Sequence, residues 1–191
     1  MNPFSRTTGR WLLLLIALVQ LPAHAAKVAG VTLDDTLSIG EQSVSYQGAG
    51  VRKKLFIKLY VGSLYLASAD ADAASVIDAD EAMAIRLDIL SDLLTRKKLV
   101  KALDEGFDNS TGGNTEAIQP QIDKMLSFMQ DKISTGSRYT LAYEPGVGTH
   151  ISRNGETLTV IEGLAFKQAL FGIWLSDKPA QKSLKSAMLG K

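Results

Sequence analysis

An α+β fold, with helices packed on an antiparallel sheet, is what the order of periodicities along this chain predicts. Three observations carry it. Period-two segments run up to Leu90, two helical segments follow between Thr95 and Ile133, and alternation returns from Tyr139 to Ile161 before two C-terminal helices. No repeat or internal linker interrupts that order, so one domain is expected.

Met1 to Ala25 reads as an export signal. Arg6 and Arg10 give a positive start, Trp11 to Leu21 is apolar except for Gln20, and Ala23-His24-Ala25 is a small-x-small cleavage site. The apolar run is about half the roughly 20 residues that span a bilayer, so no stable transmembrane segment is expected after cleavage. Residues 26–191 then form a single domain with room for a real core. The full chain has 21 Lys+Arg against 20 Asp+Glu, and losing Arg6 and Arg10 makes the remainder slightly acidic. That balance gives no nucleic-acid footprint. Lys53-Lys54 and Arg96-Lys97-Lys98 read as solvated surface. There is no cysteine, hence no disulfide, thiol nucleophile or zinc ribbon.

Within the domain, Lys27 to Val44 suggests short strands and turns, with Gly40 at a turn and Val44 and Tyr46 leading onward. Gly48-Ala49-Gly50 reads as a small flexible turn that presents Arg52. A long strand follows from Leu55 to Leu66, apolar on both faces as in a covered central strand, with Tyr60 as a polar group in need of a partner. Ser68 to Asp80 fits a short helix starting near Asp70. Ala82 to Leu90 is a strand with Met83, Ile85, Leu87 and Ile89 on one face and Arg86 and Asp88 on the other.

Thr95 to Phe107 places Leu99, Val100, Leu103 and Phe107 on a helical stripe, and residues 109–115 read as a polar connector. Ile118, Ile122, Met125, Leu126, Met129 and Ile133 predict a second helix, capped by Asn114 or Thr115 and ended by Gly136. Its methionines read as core. Tyr139, Leu141 and Tyr143 alternate before Pro145-Gly146. Asn154-Gly155 between Val147–Ser152 and Leu158–Ile161 predicts a type I′ hairpin. Leu164 to Leu175 is an apolar helix, and Pro179 to Leu189 a shorter one.

Hydrolytic and metal chemistry find little support. His150 is the single histidine after residue 25 and reads as an exposed strand residue, and the carboxylates are scattered. Pro145-Gly146-Val147-Gly148-Thr149 lacks the lysine and helix of a phosphate loop. Asn109-Ser110-Thr111 is a bare glycosylation triplet. Trp174, in an apolar helix, reads as core. No cofactor is implied.

Gly48-Ala49-Gly50-x-Arg52, followed by the strand Lys58-Leu59-Tyr60-Val61-Gly62-Ser63-Leu64-Tyr65-Leu66, resembles the chalcone isomerase family. Ala169-Leu170-Phe171-Gly172-Ile173-Trp174-Leu175-Ser176-Asp177-Lys178-Pro179 is similar to its bacterial exported branch. The resemblance implies an open-faced β-sandwich, an antiparallel sheet covered by a layer of helices. It also implies a role for Arg52, whose counterpart in the plant enzymes stabilises the substrate phenolate. A guanidinium suits a phenolate or a carboxylate equally well. Tyr60 stands where the plant enzymes have threonine, as in the family's fatty-acid-binding branch. Thr95, Ala102 and Ile173 fall where those enzymes carry a tyrosine, an asparagine and a threonine.

These departures favour a non-catalytic protein of a bacterial periplasm that binds an elongated apolar carboxylate such as a fatty acid, with Arg52 and Tyr60 clamping the head group. An isomerase acting on a phenolic or enone substrate, with Arg52 as its catalytic residue, is the alternative. A ligand-free structural or interaction protein is a second. On one unbroken strand Arg52 and Tyr60 would lie roughly 26 Å apart. Cooperation therefore requires the chain to turn or bulge between Arg52 and Phe56, with Lys53-Lys54 the expected place, or Arg52 to reach in from a neighbouring strand; the two side chains are expected to converge on one internal pocket.

Overall fold

The computed structural model describes residues 26–69, 72–129 and 132–191. Met1 to Ala25, the expected export signal, lies outside the described residues. Strands β1 (Lys27–Val28) and β2 (Val31–Thr32) form a small ribbon. Next come β3 (Thr36–Ile39), β4 (Gln42–Lys54) and β5 (Ile57–Leu66), then helix α1 (Ala73–Asp78) and β6 (Met83–Ile89). Helix α2 (Arg96–Thr111), a 3₁₀ turn at Glu116–Ile118 and α3 (Gln119–Ser127) lead to β7 (Arg138–Glu144), β8 (Gly148–Arg153) and β9 (Glu156–Ile161). Helices α4 (Leu164–Leu175) and α5 (Lys182–Met188) complete the chain.

Strands β3 to β9 pair in sequence order, each antiparallel to the next, as one curled seven-stranded sheet. The expected α+β class is what the chain adopts. Met83, Ile85, Leu87 and Ile89 of β6 and Tyr139, Leu141 and Tyr143 of β7 face the helices in one large core. Helix α4 is buried almost all round, as its lack of a polar face requires. Gly106 of α2 lies against Ile173, and Gly172 of α4 against Ser110, so the two helices approach closely.

The opposite face carries a smaller core of Ile39, Val44, Tyr65, Ala82 and Ala84. There Arg86, 1% exposed, reaches Asp34 ahead of β3 through Nη1 and Asp88 through Nε at 3.1 Å. Arg138 Nε joins Asp88 at 2.8 Å, and Arg86 lies over the Tyr65 ring at 5.6 Å. A buried guanidinium is tolerable only with such carboxylates, and this one ties the N-terminal segment to the sheet.

Several boundaries differ from expectation. Gly48-Ala49-Gly50 is not a turn but the middle of β4. Its glycines let α5 lie directly on the strand. A Cβ on Gly48 would strike the Ala187 and Met188 carbonyl oxygens, and one on Gly50 would stand 2.8 Å from Ala187 Cβ. The reversal occurs at Leu55-Phe56, not Lys53-Lys54, so the following strand begins at Ile57. Asn109–Thr111 continue α2, because Ser110 Oγ reaches the Ala169 carbonyl of α4 at 2.8 Å and Thr111 Oγ1 that of Phe107 at 2.8 Å. Helix α3 stops at Ser127, whose Oγ donates to the Lys124 carbonyl at 2.7 Å and competes with helix continuation. Met129 and Ile133 stay buried beyond it. Asn154 and Gly155 both have positive φ, 51° and 88°, as a type I′ hairpin requires.

Lys167 of α4 is fully buried, and its Nζ donates to the carbonyls of Val76, Ile77 and Ala79 at 3.0, 2.8 and 2.6 Å. These are the unpaired acceptors at the C-terminal end of α1, so one ammonium docks that helix onto α4. Burial lowers the Lys167 pKa to about 8, against the opposing pull of Asp80, Asp78 and Glu81. An unfolded lysine, near 10.5, keeps its proton longer. Between pH 8 and 10 the unfolded state therefore binds more protons, and stability should rise with pH by up to about 1.4 kcal/mol per unit. Above pH 10 Tyr143, pushed up to about 12, acts in the opposite sense. Urea titrations from pH 7 to 10 should show this rise in the native protein and its absence in Lys167→Met. The variant should also be less stable at pH 7 by about 1–3 kcal/mol, because the carbonyls lose their donor.

The glycine seat gives a second expectation. Gly48→Ala should destabilise by about 1–3 kcal/mol through overpacking. Amide exchange should accelerate in Lys182–Met188 before it does in β6.

Candidate functional site

The β4–β5 hairpin brings Arg52 and Tyr60 together. Its register runs Gly50↔Gly62, Val51↔Val61 and Arg52↔Tyr60, then shifts so that Lys53 faces Lys58. Residues directly opposite on an antiparallel pair share a face, with Cβ atoms about 4.5–5.5 Å apart. The two side chains thus start as cross-strand neighbours on the helix-facing side.

Tyr60 is buried, and its phenol oxygen accepts the indole N–H of Trp174 at 3.0 Å. Burial raises its pKa, while the Trp174 hydrogen bond and the charge and hydrogen bond of Arg52 pull the other way. The phenol therefore stays protonated near neutral pH. With Trp174 donating to its oxygen, the hydroxyl proton is the part left to offer an acceptor.

Arg52 is held from the α5 side. Its Nη1 donates to the Lys53 carbonyl at 2.7 Å and to Gln181 Oε1 at 3.1 Å. The same Oε1 accepts Lys53 N at 3.0 Å, and Gln181 Nε2 donates to the Val51 carbonyl at 3.2 Å. Gln181 is extended, which is why α5 begins at Lys182 and not at Pro179. One amide thus fastens the start of α5 to the end of β4 and fixes the guanidinium.

Leu184 Cδ1 and Met188 Sδ of α5 lie 3.4 and 3.5 Å from where a Gly62 Cβ would stand, beside the Tyr60 ring at 3.6 Å. The wall beyond the polar pair is apolar and made of flexible side chains. Two cavities lie elsewhere. One of about 130 Å³ sits between α1 and β6, lined in part by Val76, Ala79 and Met83. An open cleft of about 460 Å³ flanks Arg86 and Arg138 on the other face. Neither is lined by Arg52 or Tyr60. The pair converges, but on a packed helix–sheet interface and not on either of these cavities.

Trp174 and Gln181 are the members that sequence reasoning missed. Trp174 is core, as expected, yet its N–H is committed to Tyr60. The usable signal was that a buried indole needs an acceptor and Tyr60 a partner. Gln181 carried no comparable mark. Thr95 instead caps α2, accepting Lys98 N at 3.4 Å; Ala102 is exposed, and Ile173 packs on Gly106. His150 is half-buried rather than exposed, and its Nε2 meets Glu144 Oε2 at 2.9 Å on β7. Among the described residues no group of His, Cys, Asp and Glu could hold a metal ion. The assembled groups are one cation and one neutral hydroxyl donor against an apolar wall, a set whose chemistry suits an anion with a hydrocarbon body.

No curated protein sequence matches the chain. Among solved structures, a fatty-acid binding protein of Arabidopsis thaliana superposes with a TM-score of 0.67 at 18% identity, over 84% of this chain and 92% of that one. At that identity the likeness is one of fold. A chalcone isomerase-like family profile matches residues 25–190, almost the whole described chain, and the chain belongs to that family.

Proposed function

We propose that the protein binds an elongated apolar carboxylate, a fatty acid or close analogue, without transforming it. The carrying observation is the facing pair Arg52 and Tyr60, with Trp174 donating to the phenol oxygen. Arg52 supplies the charge for the carboxylate, and Tyr60 donates its proton to the same head group. The tail lies between α5 and β5, where it takes the place of Leu184 and Met188 over Gly62. The fold of the Arabidopsis fatty-acid binding protein supports this reading. The leader pattern of Met1–Ala25 supports export to a bacterial periplasm.

Ring closure of a phenolic enone would need a second polar group to fix the substrate and deliver a proton. Thr95, Ala102 and Ile173 supply none at Arg52. Purified protein should show no acceleration of chalcone cyclisation above background. Turnover abolished by Arg52→Ala would favour the isomerase reading.

Calorimetric titration with a long-chain fatty acid tests the clamp. Arg52→Ala should weaken binding by about 2–5 kcal/mol, as for truncating one member of a buried charge pair. Tyr60→Phe should weaken it by about 1.5–3 kcal/mol, the range for a hydrogen bond to a charged group. Unchanged affinity in Arg52→Ala would end the proposal.

A further inference from the structure

The tip of the β4–β5 hairpin breaks three rules of a water-facing turn at once. Phe56 is 100% exposed and Leu55 87%, with Ile57 partly exposed beside them. Leu55 also has φ +55°, in a two-residue turn closed by the Lys54↔Ile57 pair. Such positions favour glycine, asparagine or aspartate. The β8–β9 hairpin of this same chain obeys that preference with Asn154-Gly155. Finally, exposed Lys53 and Lys58 stand directly opposite each other, with exposed Lys54 alongside. Like charges so placed repel. No acidic residue occurs between Glu41 and Asp70 to relieve them.

The exposed apolar tip and the facing lysines are unfavourable in water and favourable against one kind of surface. An apolar tip ringed by lysines matches the interface of a bilayer that carries anionic lipid, with hydrocarbon for Leu55 and Phe56 and phosphate for the lysines. Neighbouring structure extends the match. Leu90 N bonds the Leu59 carbonyl at 2.9 Å, so the β6 end lies beside the hairpin, and Leu93 just beyond is also exposed. Asp92 at that end is turned onto Thr135 N at 2.7 Å.

We propose that the β4–β5 hairpin is a membrane-docking element, which inserts Leu55 and Phe56 into an anionic lipid interface while Lys53, Lys54 and Lys58 contact the head groups. The claim stands on the hairpin alone and holds whatever Arg52 binds. It does place Arg52, three residues or about 10 Å of strand from Leu55, at head-group depth.

The chain has no cysteine, so Phe56→Cys can carry a single environment-sensitive fluorophore, and Val147→Cys, exposed in the β7–β8 turn, serves as the control. Phosphatidylglycerol-containing vesicles should blue-shift the probe at position 56 and shield it from iodide, with the probe at 147 unchanged. Pure phosphatidylcholine should do neither. Leu55→Ser/Phe56→Ser, and separately Lys53→Glu/Lys54→Glu/Lys58→Glu, should reduce vesicle partitioning at least tenfold with unchanged circular dichroism. A probe at 56 that stays open to iodide on anionic vesicles overturns the proposal, even if the protein sediments with them, because adsorption would then run through another segment. Equal shielding on pure phosphatidylcholine, or shielding without vesicles that grows with protein concentration, would overturn it as well, the latter in favour of self-association.

Discussion

The closeness of α5 to β4 is the constraint on which the candidate site depends. Two backbones can approach this nearly only where side chains are missing, and Gly48 and Gly50 supply the gap. With α5 seated, Gln181 at its entrance reaches both the Val51 carbonyl and the Arg52 guanidinium. Arg52 is thereby held on the face where Tyr60 stands, and Tyr60 is in turn fixed by Trp174 from α4. Helix α4 thus meets β5 at the phenol oxygen, with Arg52 of β4 directly opposite Tyr60. The glycines of the family motif therefore act at a distance, by placing the helix that positions the arginine.

The remainder of the fold serves to hold those helices over the sheet. Helix α4 can be apolar on all sides because the sheet, α1, α2 and α5 surround it, and its one buried cation is spent on the carbonyl end of α1. On the opposite face Arg86 does similar work with Asp34 and Asp88. Lys167 bonds the carbonyl end of α1 and Arg86 bonds Asp34, so each acts as a tether between parts of the chain far apart in sequence.

Much of this was legible in the sequence. Alternation in β6 and β7 revealed which residues share the helix-facing side, and Asn154-Gly155 marked its hairpin, because side-chain alternation and turn chemistry act locally. The β4–β5 reversal was misplaced because Leu55 at positive φ breaks the residue preference that sequence reading relies on. Gly48-Ala49-Gly50 looked like a turn because glycine admits two explanations, backbone freedom or a close neighbour, and only the tertiary fold chooses. Ser110 and Ser127 moved helix ends through single side-chain bonds that periodicity does not register. For the site, Arg52 and Tyr60 stood out through the family motif, whereas Gln181 gains its role only from the docking of α5.

Trp174 offers the most direct test of the central claim, that Arg52, Tyr60 and Trp174 form one head-group site. The chain has two tryptophans, and Trp11 precedes residue 26, so the indole emission of residues 26–191 comes from Trp174 alone. Adding a long-chain fatty acid should change that emission saturably at one ligand per chain. The matched fatty alcohol, which lacks the charge, should do so far more weakly. Emission indifferent to the fatty acid, or an equal response to acid and alcohol, would contradict a site built on Arg52 and Tyr60.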